Sequence, residues 1–228
     1  VPKKNIIDIN GKPLIAYTIE EIKKSKYIDD YIISSEDEEI INVCKNYGIN
    51  YRIRPNELSQ DTTTSAAAIK DVIDINSNYD IIVEIMCTNP LKSVEDIDGC
   101  IEKLVSTESD SVVSVMRLWD HHPSRIKYIE DDLMKDFYPE VPETRRQDLT
   151  PPAYIRNGSI YVFWKDSFLK HGNRLGNICR PYIMPDERTI NIDEPLDLEI
   201  ARLLIQKRDN MNTLDYCSKL DSGANNEW

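Results

Sequence analysis

The sequence predicts an α/β fold with a doubly wound, mostly parallel sheet, helices on both faces and one inserted excursion. Short apolar or β-branched runs alternate with segments whose apolar residues recur at helical spacing. Repeated strand and helix units of this kind pack as a parallel sheet covered by helices. The 228 residues are enough for one such domain with a substantial core.

The first elements are a helix over about 13–25, a strand at Asp30–Ser35 and a helix at Glu36–Tyr47. Pro13 fixes φ for the first helical turn. Gly48 suits the left-handed residue that follows a helix, so the second helix is expected to end there. The order helix, strand, helix begins the alternation.

The alternation then continues toward the middle of the chain. Ser93 with Asp96 three residues later forms the pattern of a capping box, which marks the start of a helix. The predicted elements are a strand at Ile49–Ile53, a helix at Thr64–Ile75, a strand at Tyr79–Met86, a helix at Ser93–Ser106 and a strand at Asp110–Met116.

Residues 117–157 interrupt this rhythm with polar, proline-rich sequence, and we interpret them as a subregion inserted into a single domain over 1–208. Strand-like fragments are expected within it at Arg125–Ile129 and Leu133–Phe137. The sheet is predicted to resume at Gly158–Trp164 and Arg180–Met184. A helix from Pro195 to about Arg208 closes the domain, and 209–228 are predicted to be a polar surface tail.

Composition restricts the classes of partner. The net charge is 28 − 40 = −12, with no basic block, which argues against binding to nucleic acid or an anionic membrane. No apolar run reaches the roughly 18 residues of a membrane span, and no signal peptide opens the sequence. A soluble, cytoplasmic protein is expected. The five cysteines are widely spaced without a CxxC pair, so reduced thiols are expected.

Ligands in such sheets bind beyond the carboxyl ends of the strands, and two of the cationic segments expected there suit anions. Lys4 and Asn5 stand in a basic segment before the first helix, where a lysine and loop amides would neutralise phosphates. Arg54 precedes a hydroxyl cluster that includes Ser65, at a helix start that favours anions. The alternatives are solvated surface lysines and a helix-capping run with an exposed arginine.

A third segment, INID, offers oxygen ligands. Asp193 would bind Mg²⁺ or support the helix that starts at Pro195, and Asn191 would lie on the same strand face two residues earlier. His121 and His122 form no metal pattern, and a hydrogen-bonded loop role is favoured over a catalytic one.

Seven stretches, in order, resemble the acylneuraminate cytidylyltransferase family from Pro2 to about Leu204. They are PKKN with GKPLIAYTIE, RPNEL with DTTTS, TNPL, DSVVSV, RRQD at 145–148, NGSIYVF at 157–163 and ERTINIDEPLDLEIA at 187–201. The resemblance implies a Mg²⁺-dependent nucleotidyltransferase that joins CTP to a sialic-acid-like 3-deoxy-ulosonic acid and releases pyrophosphate. It also implies the nucleotide-sugar transferase fold and a homodimer formed through 117–157.

The resemblance assigns roles to individual residues. Lys4 and Asn5 match residues at the triphosphate, and Arg54 and Ser65 match residues that hold cytidine. Catalytic roles fall to Lys4, Arg125 and Asp193, with Asp193 and Asn191 at the metal. Residues implied at the sugar acid are Met86, Thr88, Arg125, Arg145, Arg146, Arg156 and Asn157.

Departures from the family pattern predict differences in chemistry. Asn191 replaces the first acid of the family's DxD motif, so metal binding is expected to be weaker or to depend on the substrate phosphates. Met86 replaces a sugar-contacting glutamine, which predicts a more apolar sugar pocket. The family's ARxGSK loop and the strand before it would lie upstream of Val1, so the start of the sequence is expected to be trimmed.

Three alternatives remain open from the sequence. The sugar acid could be a 3-deoxy-octulosonic acid, or the enzyme could be a nucleotidyltransferase for a different sugar. The substitution at Asn191 also fits a degenerate nucleotide-sugar binding protein that binds CTP without turnover.

Overall fold

The computed structural model describes residues 1, 3–60, 62–139 and 144–223, without the side chains of 212–223. The helices in this part of the chain are α1 (Leu14–Ile22), α2 (Glu38–Asn46), α3 (Ser65–Ile75), α4 (Val94–Ser106), α5 (Lys165–His171) and α6 (Pro195–Gly223). The strands are β1 (Asp8–Ile9), β2 (Lys12–Pro13), β3 (Ile33–Ser35), β4 (Tyr51–Ile53), β5 (Ile81–Ile85), β6 (Ser111–Leu118), β7 (Lys127–Glu130), β8 (Leu133–Asp136), β9 (Ala153–Trp164) and β10 (Cys179–Ile183).

The α/β class is confirmed, but the central sheet is mixed rather than mostly parallel as predicted. Its four strands lie in the order β10, β6, β9, β5; β10 runs parallel to β6, whereas β9 runs antiparallel to both β6 and β5. The physical reason is the connection between β6 and β9. The chain leaves the end of β6 at Leu118 and returns beside it at Ala153. The described residues between these strands include a hairpin and no crossover helix, so β9 runs the opposite way.

Helices cover both faces of this sheet, as the sequence predicts. Val112 and Val113 are neighbours on β6 and point to opposite faces. Val112 packs in a core with Ile97 of α4, and Val113 packs in a second core with Phe168 of α5. The apolar sides of α4 and α5 are therefore buried against opposite faces of one sheet.

A smaller parallel pair, β3 with β4, lies with α1 and α2. Ile15 of α1 and Ile40 of α2 share a core with Ile49, just before β4. The predicted end of α2 is confirmed, because Gly48 has φ +63° directly after the helix. The predicted capping box at the start of α4 is also present.

The inserted subregion is shorter than predicted, because β6 extends to Leu118 and β9 begins at Ala153. Between them β7 and β8 form an antiparallel hairpin, so the two strand-like fragments are confirmed. The last helix continues to Gly223, past the predicted end at Arg208 and through most of the expected tail. Weak apolar periodicity in that segment had concealed the helix.

Candidate active site

A cavity of about 990 Å³ brings together the residues assigned to the nucleotide. It is bordered by β3 and by the full length of β5. Among its lining residues are Lys4, Asn5, Arg54, Ser65 and Met86, which come from segments far apart in the sequence. Segments that were expected to lie beyond the strand ends therefore come together around one cavity.

Lys4 lies at the centre of a polar network at the edge of this cavity. Its Nζ donates to Asp193 Oδ1 at 2.7 Å and to the carbonyl oxygen of Ile192 at 3.1 Å. Asn191 Nδ2 donates to the other carboxylate oxygen, Asp193 Oδ2, at 2.5 Å. Lys4, Asn191 and Asp193 thus form one cluster, although Lys4 and Asp193 are 189 positions apart in the sequence.

Backbone hydrogen bonds hold the segment that carries Asp193 in place. Asp197 Oδ2 accepts from the backbone N–H of Asp193 at 3.0 Å and of Glu194 at 2.8 Å, and these N–H groups lower the pKa of the Asp197 carboxyl. The N–H of Ile192 donates to the Thr88 carbonyl at 2.8 Å. The INID segment is not a strand, contrary to the prediction, because its backbone bonds go to a helix-capping carboxylate and to a turn.

Arg54 is held in a fixed orientation on the cavity wall. Its Nη2 donates to the Ser34 carbonyl at 2.7 Å and its Nε to Ser34 Oγ at 3.3 Å, and Glu36 lies 3.7 Å away. Thr64, rather than Ser65, caps α3 by accepting from the backbone N–H of Ala67 at 3.3 Å. Ser65 lies in the first turn of α3 and lines the cavity.

Cys87 orients Asn5, a contact that sequence reasoning missed because the cysteines were interpreted only as reduced thiols. The Cys87 Sγ lies 3.2 Å from Asn5 Oδ1. Burial raises the pKa of the Cys87 thiol, so the thiol remains protonated and donates this hydrogen bond. Because Oδ1 accepts from the thiol, the Asn5 amide nitrogen remains as the group that can donate to a ligand.

The arginines of the inserted subregion do not line the cavity in the described part of the chain. Arg125 Nη2 donates to the Thr144 carbonyl at 2.9 Å. Arg145 pairs with Asp148 at 2.6 Å, and Arg146 pairs with Asp120 at 3.0 Å. These contacts hold the subregion together, and the roles implied for Arg125, Arg145 and Arg146 at a sugar acid stay predictions.

Three further residues with implied sugar contacts lie in the central sheet or next to it. Asn157 is buried, where its Oδ1 accepts from Ser114 Oγ at 2.6 Å and its Nδ2 points at Met184 Sδ. Arg156 is exposed on β9, and Thr88 offers its carbonyl to Ile192. Asn157 therefore supports the sheet, and its place at a sugar acid stays a prediction.

His122 has the structural role that was favoured for the two histidines. His122 is buried, with Nδ1 2.8 Å from Ser124 Oγ and Nε2 2.9 Å from the Pro151 carbonyl. Both ring nitrogens are occupied by these contacts, so this side chain serves the loop rather than a substrate.

The donor set at Asp193 fits a hard divalent cation. No group of three or more His, Cys, Asp or Glu side chains is close enough to hold a metal within the described residues. Asn191 Oδ1 is nevertheless a buried oxygen without a hydrogen-bond partner, directly beside the Asp193 carboxylate. Mg²⁺ accepts one or two protein oxygens and completes its shell with water and phosphates, so these two residues suffice.

Comparison with known proteins shows that the chain is similar to cytidylyltransferases. Residues 1–171 match the family model described as cytidylyltransferase. The pseudaminic acid cytidylyltransferase of Campylobacter jejuni subsp. jejuni is 31% identical over 210 residues, which cover 90% of each chain. The N-acylneuraminate cytidylyltransferase of Escherichia coli O18:K1:H7 is 27% identical over 97% of this chain and 52% of its own length.

A solved structure supports the fold independently. The structure of CMP:2-keto-3-deoxy-manno-octonic acid synthetase complexed with CTP superposes with a TM-score of 0.67 at 15% identity, covering 91% of this chain and 93% of that one. Across the described residues, none of the helices combines the length and apolar character that crossing a bilayer demands.

Proposed function

Because the chain belongs to the cytidylyltransferase family that includes the acylneuraminate and pseudaminic acid enzymes, we propose that it joins CTP to a nonulosonic acid. The products are the CMP-sugar and pyrophosphate. One observation carries the proposal: Lys4, Asn5, Arg54 and Ser65 line one cavity, as a site for a nucleoside triphosphate requires. A cytoplasmic location is part of the proposal, since the reaction consumes CTP.

In this reaction the anomeric hydroxyl oxygen of the sugar acid attacks the α-phosphorus of CTP in line. A phosphorus–oxygen bond forms to the sugar and the hydroxyl proton passes to water. The bond between the α-phosphorus and the oxygen that bridges it to the β-phosphate breaks, and pyrophosphate leaves with both bonding electrons. The protein contributes position and charge rather than a covalent intermediate. Lys4 neutralises triphosphate charge, and Arg54, already fixed by Ser34, presents its guanidinium to the cytidine portion.

We include Mg²⁺ dependence in the proposal on the strength of the oxygen pair at Asp193 and Asn191. These two residues would hold the ion, which supplies charge neutralisation for the phosphates when it is bound. The second position is a neutral amide where the family motif has an acid, so the ion is expected to depend strongly on substrate phosphates.

Restoring an acid at this position should lower the Mg²⁺ requirement. The Asn191→Asp variant gains a carboxylate beside Asp193, and we expect its half-saturating Mg²⁺ concentration to fall about 3- to 10-fold. The measurement is pyrophosphate release against Mg²⁺ concentration. Asn42→Asp, which adds the same charge at an exposed position of α2, should behave as wild type. An unchanged requirement in Asn191→Asp would remove Asn191 from the metal site.

The sugar acid is identified by its turnover. Wild-type protein is incubated with CTP and, separately, pseudaminic acid, N-acetylneuraminic acid and 3-deoxy-manno-octulosonic acid, and pyrophosphate is measured. A nonulosonic acid should give the highest kcat/KM. Preference for the octulosonic acid would contradict the proposed substrate class. CTP binding without turnover of any sugar acid would support the degenerate binding protein that Asn191 allows.

A homodimer is proposed on the apolar surface of the inserted subregion. On the β7–β8 hairpin and the segment that follows, Ile129 is 79% exposed and Met134 is 74% exposed, with Leu133 and Phe137 also exposed. Ile129 and Met134 are paired across the hairpin and so lie side by side on one face. Exposed apolar side chains that adjoin in this way mark interaction surfaces in soluble proteins. A second copy of this chain is the proposed occupant, since the resemblance implies dimerisation through this same subregion.

A charge on this surface should disrupt the dimer. We expect Met134→Glu to shift the sedimentation equilibrium toward monomer by at least 10-fold in dissociation constant, because the interface would bury an unpaired carboxylate. Leu203→Glu is the matched control, since Leu203 is a similarly exposed apolar residue on α6. A wild type that sediments as a monomer at all concentrations would contradict the dimer.

A further inference from the structure

Lys92 is the largest fully buried side chain in the described part of the chain, and nothing above gives it a role. It is only 1% exposed, and it forms no ion pair among the described residues. A buried ammonium without a carboxylate partner costs several kcal/mol, so an apolar residue of similar size would be favoured if packing alone mattered. A lysine at this position therefore points to a role beyond packing.

The amine joins two elements that border the proposed site. Its Nζ donates to Thr18 Oγ1 on α1 at 2.9 Å and to the carbonyl oxygen of Asn89 in the turn after β5. The Asn89 side-chain amide is buried without a hydrogen-bond partner in the described residues. The turn is therefore held through its backbone, and Lys92 supplies the donor from inside the protein.

The turn that Lys92 holds contacts the site at successive residues. Cys87 donates to Asn5 at 3.2 Å, and the Thr88 carbonyl accepts from Ile192 at 2.8 Å. Ile192 directly precedes Asp193, which pairs with Lys4. A shift of this turn would therefore move the proposed triphosphate and metal groups together.

We propose that Lys92 is a positioning residue for cytidylyl transfer: its buried amine fixes the turn at 87–89 and through it sets the placement of Asn5 and Asp193. This inference rests on the proposed function. Lys92 does not touch the substrates. It acts because misplacement of catalytic groups by about 1 Å can reduce a rate about 100-fold.

The positioning by Lys92 is expected to depend on pH, because its amine loses its charge as the pH rises. Burial lowers the pKa of Lys92 to about 7, and the carboxylates of Asp96 on α4 and Glu21 on α1 oppose this shift. The Cys87 thiol, in the turn after β5, is protonated and adds no charge. Asp96 is itself paired with Arg188, and Glu21 with Lys24. The ammonium binds a carbonyl more strongly than the neutral amine does. Positioning is therefore strongest below this pKa and weakens as the pH rises through it.

The test compares Lys92→Met with wild type. We expect kcat to fall about 10- to 100-fold with KM for CTP changed less than 3-fold, because Arg54 and Ser65 are not attached to the turn. The fall in wild-type kcat/KM as pH rises above about 7 should disappear in the variant. Lys165→Met is the control, since Lys165 also donates to a backbone carbonyl, that of Ser77, but on the surface.

A second variant and a measurement that needs no turnover test the same role of Lys92. If Lys92→Met does not fold, Thr18→Val removes one partner of the amine with little change in shape, and it should lower kcat at least 3-fold. Hydrogen exchange at the Ile192 amide, which needs no turnover, should be faster in either variant than in Lys165→Met. Unchanged kcat, pH profile and exchange would overturn the positioning role. Wild type without activity would refute the proposed function, while exchange alone would still decide the role of Lys92.

Discussion

Lys4→Ala should lower kcat/KM for CTP about 100- to 1,000-fold while leaving the fold intact. The side chain lines the cavity and is the cation of the Lys4, Asp193 and Asn191 cluster. Charge developing on the phosphates in the transition state needs this neutralisation, and loss of one such donor typically costs a few kcal/mol of barrier. Initial rates of pyrophosphate release give the effect.

Stability distinguishes this catalytic role from a structural one. Lys4 is 30% exposed and Asp193 is 61% exposed, so water stabilises the carboxylate when the lysine is removed. Loss of this pair should cost less than about 1 kcal/mol. Lys3→Ala is the matched control, because the neighbouring lysine pairs with Glu39 on the surface. A large fall in the Tm of Lys4→Ala, or an equal loss of activity in Lys3→Ala, would contradict the assignment.

Asp193→Asn should reduce kcat by a similar factor of about 100 or more. The substitution removes the one carboxylate of the proposed metal site while keeping the shape of the side chain, and it also removes the anionic partner of Lys4. Rates at saturating CTP and several Mg²⁺ concentrations measure the effect. Glu194→Gln, the adjacent carboxylate, should retain activity within about 3-fold.

The two substitutions should not be additive. Lys4 Nζ and Asp193 Oδ1 are 2.7 Å apart, and residues in direct contact couple energetically. The double variant Lys4→Ala with Asp193→Asn should therefore be less impaired than the product of the two single effects. Full additivity would indicate that the two residues act at separate places.

The meeting of Lys4, Arg54 and Ser65 around one cavity could be predicted from the sequence because it depends on local rules. Lys4, Arg54 and Ser65 each follow or precede a recognisable element, and strand ends converge in an α/β sheet. The capping box at Ser93 and the glycine after α2 were predicted for the same reason, since each depends on a few neighbouring residues.

Features that depend on long-range packing could not be predicted. The antiparallel direction of β9 depends on where the chain returns after 119–152, which no local pattern specifies. Lys92 reads as an ordinary surface lysine next to the cap of α4, and only the packed structure shows it buried against Thr18. Asn157 carries a family motif, yet its hydrogen bonds belong to the sheet.

A crystal structure of the protein with CTP tests the proposed nucleotide site most directly. We expect the triphosphate in the cavity bordered by β3 and β5, with phosphate oxygens within hydrogen-bonding distance of Lys4 Nζ and the cytidine portion beside Arg54 and Ser65. Asp193 should lie at the phosphates on the same side as Lys4. Nucleotide bound elsewhere, with these four residues unchanged and uncontacted, would contradict it.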